Sequence, residues 1–171
     1  MAAMKTLFQT LARYNAWANA RLYVELTPLS PEQLAEALDV NFGSILGILN
    51  HGLLGDQLWL NRFTGRGPTP ASIAEVVHPD LPGLTAARVA EDENIIRFAD
   101  SLNPGDELRV LSYTSTEGIA FAEPMALLLS HFFNHQTHHR GQVHALLGRF
   151  GVRPRDLDLV FFQKETGTYP G

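Results

Sequence analysis

Five of the seven histidines fall between Leu127 and Phe150, in the run LLLSHFFNHQTHHRGQVHALLGRF: His131, His135, His138, His139 and His144. On a helix advancing about 100° per residue, with His131 at zero, His135 falls near 40°, His138 near −20°, His139 near 80° and Gln142 near 20°. Four imidazoles and an amide then share one face. His131 and His135 are one turn apart, as are His135 and His139, and such neighbours can reach a common metal ion. The plainer alternatives are a solvated polar face, or core histidines bonded to backbone carbonyls. Leu and Phe on both flanks favour the metal, because imidazole is costly to hold in apolar surroundings without a partner. Three neutral imidazoles on a divalent ion, with positions left open, would make a site able to activate water or a thiol.

Spacing leaves the ligand set open: His131 with His135, or His135 with His139, each completed from another helix. His51 is the only histidine on another predicted helix, and by itself it reads first as a core histidine with a backbone partner. Other metal and hydrolytic chemistries lack their residues. The one Glu-x-x-His spacing, Glu75 to His78, lies in a proline-rich loop, so a ferritin-like di-iron site fails. His-Glu-x-x-His, a glycine-rich phosphate loop and Gly-x-Ser-x-Gly are absent. No carboxylate is placed to complete a ligand shell. Asp56 lies about 140° round its helix from His51, and no Asp or Glu occurs between Pro124 and Arg155.

The elements that must position these residues are long helices. Residues 4–26 carry an apolar stripe of Leu7, Phe8, Leu11, Tyr14, Ala18, Leu22 and Leu26. Asn15 and Asn19 lie inside it, either lining a pocket or bonding to a neighbouring helix. Trp17 lies off it, against another segment or a subunit contact. Ser30-Pro31-Glu32-Gln33 opens a short helical turn. Residues 44–63 form a second long helix, apolar nearly all round, in which Gly47, Gly52 and Gly55 suit a close approach by another helix or a ligand. A long loop over 65–83 follows, with His78 at the surface, then a helix over 85–102 whose acids Glu91, Asp92 and Glu93 suit an N-terminal half. A β-hairpin over 108–113 and 118–121 precedes the histidine-rich helix, which Pro124 opens and Gly151 stops. The apolar tail lies back over the bundle. The fold class is all-α, a four-helix bundle with a small β-hairpin before the last long helix.

At 171 residues, 45% hydrophobic and 18% charged, the chain reads as one globular domain. A net charge of −5 with no basic run argues against nucleic acid. There is no cysteine, which excludes disulfides, thiolate ligands and a cysteine nucleophile. No apolar run reaches membrane-spanning length, and Lys5 with polar neighbours comes too early for a signal peptide, so a cytoplasmic protein is the default.

Three segments and the tail make the sequence resemble the DinB family, the DNA-damage-inducible and bacillithiol-transferase-like proteins. They are Tyr14-Asn15-Ala16-Trp17-Ala18-Asn19; Asn50-His51 followed by Trp59 and Arg62; Asn134-His135-Gln136-Thr137-His138-His139-Arg140-Gly141-Gln142; and the terminal Asp156-Leu157-Asp158. The resemblance implies one divalent metal ion on His51, His135 and His139. His131 and His138 stay outside the ligand set, as outer donors or an acid–base group, and Gln142, Asn15 and Trp59 serve as pocket or outer positions. It also implies a long crossover connection and a homodimer, which an apolar second helix and Trp17 favour too. The function expected is a metal- and thiol-dependent S-transferase or isomerase using an external low-molecular-weight thiol and a small-molecule substrate. The alternatives are a metal-dependent hydrolase or a non-catalytic metal-binding stress-response protein. Zinc, nickel and iron all accept imidazole. Arg62 and Arg66 are candidates to meet an anionic thiol, whereas Arg140, about 180° from His131, should point away.

Overall fold

The computed structural model describes residues 2–168, with side chains from Met4 onward. Its elements are α1 (Ala2–Leu26), α2 (Pro31–Leu34), α3 (Ile45–Thr64), α4 (Leu81–Ser101), β1 (Val110–Thr114), β2 (Ala120–Pro124), α5 (Met125–Leu147) and α6 (Leu159–Thr166). α1 packs on α4 and α5, and α3 packs on the same two. Hence α1 faces α3 across one diagonal of the bundle, and α4 faces α5 across the other. The links that cross these diagonals carry the added structure: α2 and its loop on one, the antiparallel β1–β2 hairpin on the other. None of the described helices is long and apolar enough to cross a membrane.

Local chemistry sets most helix ends. Ser30 and Gln33 form a reciprocal capping box on α2. Ser44 Oγ accepts from Gly47 N at the start of α3, and Gly65 ends that helix in the left-handed region. α4 begins at Leu81, before the expected 85, because Asp80 caps it through Gly83 N and Pro82 is tolerated in a first turn. Glu91 and Asp92 therefore sit mid-helix, and both are buried. The hairpin pairs 110–114 with 120–124, two residues beyond the expected start of each strand, because Asp106–Leu108 is taken by a 3-10 turn. α5 ends at Leu147 and runs on as a 3-10 turn to Gly151. The tail holds a helix, α6, that the sequence did not suggest. Its Phe162 is buried against Tyr14 and Trp17, and Trp17 Nε1 donates to Glu165. Trp17 is thus covered within the chain.

The core has two apolar halves. One is built from Leu22, Leu26, Ile48, Leu84, Val143 and Leu147, the other from Phe8, Phe63, Ile95, Phe98, Leu129 and Phe132. Between them a polar layer crosses all four long helices: Asn15 and Asn19, Asp56, Arg88 and Asp92, Gln136 and Arg140, all buried. Arg88 Nη1 donates to Asp56 at 2.6 Å, and Arg88 Nη2 lies 3.0 Å from Asp92. Asn15 and Asn19 donate to Asp92 at 3.0 and 2.9 Å, Gln136 donates to Asp56 at 3.0 Å, and Arg140 donates to both asparagines. Two carboxylates and two guanidiniums balance within the layer. Burial pushes the Asp56 carboxyl above the ordinary carboxylate range, while Arg88 and Gln136 oppose that rise.

Candidate metal centre

α3 and α5 face each other directly, so histidines on both can meet. His51 Nε2 lies 3.2 Å from His135 Nε2 and 3.1 Å from His139 Nε2, and the last two are 3.1 Å apart. Metal–nitrogen bonds of about 2.0–2.1 Å at octahedral to tetrahedral angles call for ligand nitrogens about 2.9–3.4 Å apart. The three atoms fall inside that window. Among the described residues no fourth His, Asp or Glu joins the group.

Hydrogen bonds behind two of the rings decide which nitrogen is free. His51 Nδ1 is 2.8 Å from the Ile73 carbonyl, and His139 Nδ1 is 2.8 Å from Gln142 Oε1. Both acceptors lack a proton, so each Nδ1 must donate, and each Nε2 is left as a bare lone pair. A single proton on His135 could satisfy only one of its two neighbours. Two lone pairs converging with the third imidazole nitrogen suit a cation, and the two outer acceptors fix the tautomer and ring orientation of His51 and His139 as metal sites require. Asn50 holds the Ile73 segment in place: its amide donates to the His78 carbonyl at 3.0 Å and accepts from His78 N at 2.9 Å. His78 is accordingly half-buried rather than on the surface. Gly55 answers His135 across the helix interface, since a Cβ there would lie 3.0 Å from His135 Cε1.

The other expected site residues divide. Gln142 stands behind His139 as described. His131 is exposed, its ring 5.8 Å from that of His135 and 5.2 Å from that of Trp59. Trp59 stacks on Phe63 and meets Tyr113, so it forms a wall leading away from the triad. Arg62 lies over both Trp59 and Tyr113, at 4.6 and 4.8 Å, with Nη2 donating to the Thr114 carbonyl. His138 is exposed beside His139, with rings 4.9 Å apart. Asn15 is not at the triad: it bonds to Asp92 and Arg140 in the polar layer, because its stripe faces α4 and α5. Arg140 points into that layer too, away from the histidines. Asn50 and Ile73 support the site from positions to which helical spacing assigns no role. Gly47 and Gly55 of α3 do stand at close approaches, to the Phe42 carbonyl and to His135, whereas Gly52 meets nothing within 4 Å.

Burial lowers the pKa of all three imidazoles. His135 is brought to about 3, with His139, His51, His131 and His138 adding repulsion, and His139 to about 4 against the pull of Gln142. His51 is lowered by burial, opposed by its bond to Ile73. All three are neutral at pH 7 and available as ligands. Unfolded histidine titrates near 6.5, and the folded values lie below it. Stability from this cluster is therefore complete above about pH 6.5 and is lost as pH falls towards 4. Melting curves of stripped protein from pH 7.5 downward should show this loss, and His135→Ala should flatten it.

Behind His139 lies a cavity of about 30 Å³, lined by Asp56, Arg88, Gln136 and Arg140 among others. Arg88 Nε and Gln136 Oε1 are buried with no protein partner among the described residues. A water needs about 10–15 Å³ and two or more polar partners. A high-resolution crystal structure should show one there, accepting from Arg88 and donating to Gln136.

The comparisons with known proteins agree with this architecture. The chain is 28% identical over 165 residues to Protein DinB of Bacillus subtilis (strain 168), across 91% of this chain and 94% of that protein. It is similar in fold to the crystal structure of a DinB-like protein from Bacillus cereus ATCC 10987. The TM-score is 0.60 at 17% identity, over 81% of this chain and 89% of that one. The DinB family model matches residues 3–170, and the chain belongs to the DinB family.

Proposed function

We propose that this protein binds one divalent metal ion through His51, His135 and His139 and acts as a metal-dependent S-transferase or isomerase on an external low-molecular-weight thiol. The observation that carries the metal is the convergence of three imidazole Nε2 atoms at 3.1–3.2 Å with no carboxylate among them. Three protein ligands leave room for an exogenous one, as at catalytic zinc sites. When bound, such an ion lowers the pKa of a coordinated thiol or water and holds the nucleophile. Zinc, nickel and iron all fit a neutral imidazole set.

The thiol must come from outside, because the chain has no cysteine. Arg62, clamped between two rings beside the His131–Trp59 wall, supports the reading. It offers a fixed cation to an anionic thiol whose sulfur is at the triad. His131, exposed with its ring 5.8 Å from that of His135, is the outer imidazole nearest the opening of the site in this reading.

The test is consumption of a small electrophile by metal-loaded protein with and without added thiol. Turnover that requires thiol, and weakens in Arg62→Ala through KM, supports the proposal. Hydrolysis without thiol points to the hydrolase instead. No turnover by fully loaded protein leaves a metal-binding stress-response protein.

A homodimer is part of the proposal on family grounds. Trp17 and most of α3 are covered within the chain; the exposed apolar residues include Val24 and Val89 on α1 and α4, at 56% and 52%, and Val110 and Ile119 of the hairpin region, at 64% and 51%. Light scattering should give twice the chain's 18.9 kDa.

A further inference from the structure

Phe42 is the only described residue other than glycine with positive φ, at 65°. Side chains with a Cβ are disfavoured there, and a bulky aromatic more than most. Gly43 follows at φ 70°, and a glycine at position 42 would adopt this turn without strain. The turn is nevertheless pinned. Leu38 N donates to the Gly43 carbonyl at 2.7 Å, and Ser44 N donates to the Phe42 carbonyl at 2.9 Å. That carbonyl lies against the first turn of α3, where a Cβ on Gly47 would come within 2.0 Å of it. Two features of the sequence, a strained phenylalanine and a helical glycine, thus serve one placement.

The placement delivers a ring onto the metal centre. Phe42 stacks on His51 with centroids 3.7 Å apart and planes 14° apart, and meets His139 edge-on at 5.7 Å. His51 is then held in two directions, by its Nδ1 bond to Ile73 and by a ring across its face.

We propose that Phe42 is a positioning residue of the metal centre, holding the His51 imidazole in the plane that aims Nε2 at the other two ligands and covering that side of the cluster against water. A core side chain at this position would be replaceable by any apolar residue of similar volume. A ring that orients a ligand is replaceable only by another flat ring. The proposal rests on the metal reading above, and the experiment separates the two.

The variants are Phe42→Leu, Phe42→Gly and Phe42→Tyr in the full chain. Zinc affinity is measured by competition with a chromophoric chelator, the ligand field by the visible spectrum of the cobalt-substituted protein, and folding by melting of the metal-free form. Phe42→Leu and Phe42→Gly should bind zinc about 10–100-fold more weakly, as loss of an outer support to a ligand does, with an altered cobalt spectrum. Phe42→Tyr should retain both affinity and spectrum. In Phe42→Gly the relaxed turn should leave the metal-free protein folded, so that weaker binding cannot be ascribed to unfolding. Zinc affinity and cobalt spectrum unchanged in Phe42→Leu, with the wild type loading one equivalent, would overturn the role of Phe42 alone. A wild type that takes up no stoichiometric metal would overturn both this role and the metal reading.

Discussion

Replacing His51 by alanine should abolish stoichiometric metal binding, with affinity falling by more than the roughly 10–100-fold that loss of an outer support costs. The reason is geometric. His135 and His139 come from one helix, and only His51 reaches their Nε2 atoms from α3, at 3.2 and 3.1 Å. Without it two imidazoles remain, and no described carboxylate stands near enough to replace the third. His131→Ala is the matched control. It removes a ring of the same helix face that packs on Trp59, and metal content should stay at one equivalent. Elemental analysis of protein purified without an affinity tag reads both. Metal retained in His51→Ala and lost in His131→Ala would show the ligand set to be wrong.

The largest loss of stability should come from the polar layer. Arg88→Met leaves Asp56 and Asp92 buried without their shared cation, while Asn15, Asn19 and Gln136 go on donating to them. Removing one partner of a buried ionic group costs about 3–5 kcal/mol, because the remaining charge is stranded in low dielectric. For a chain of this size that corresponds to a fall of roughly 6–20 °C in Tm. Glu93→Ala, which breaks the exposed Arg97–Glu93 pair, should cost less than about 1 kcal/mol. Asp56→Asn added to Arg88→Met should recover part of the loss by removing one stranded charge. Thermal and urea unfolding of the metal-free protein measure all three. An Arg88→Met effect no larger than that of the surface pair would mean that the layer is hydrated rather than closed.

What the sequence determined by itself is local. Ser30 with Gln33, Ser44 with Gly47, and the glycines at 65 and 151 mark helix ends because a cap is a contact between residues a few positions apart. The histidine face was legible for the same reason: at 3.6 residues per turn, spacing alone puts His131, His135 and His139 on one side of α5. A helical wheel gives azimuth but not the neighbour at that azimuth, nor the level along the bundle at which two helices meet. Spacing therefore left the partner of His135 open, and the tertiary structure brings His139, the residue the family resemblance implied, and not His131, to His135 and His51. It turned Asn15 towards Asp92 and Arg140, and it converted Glu91 and Asp92 from a helix-end feature into buried mid-helix groups. The supports of the site lie furthest from sequence reach. Ile73 and Asn50 act through an irregular loop, and Phe42 through a backbone conformation that no propensity favours. Both are stable only because distant segments press on them at once.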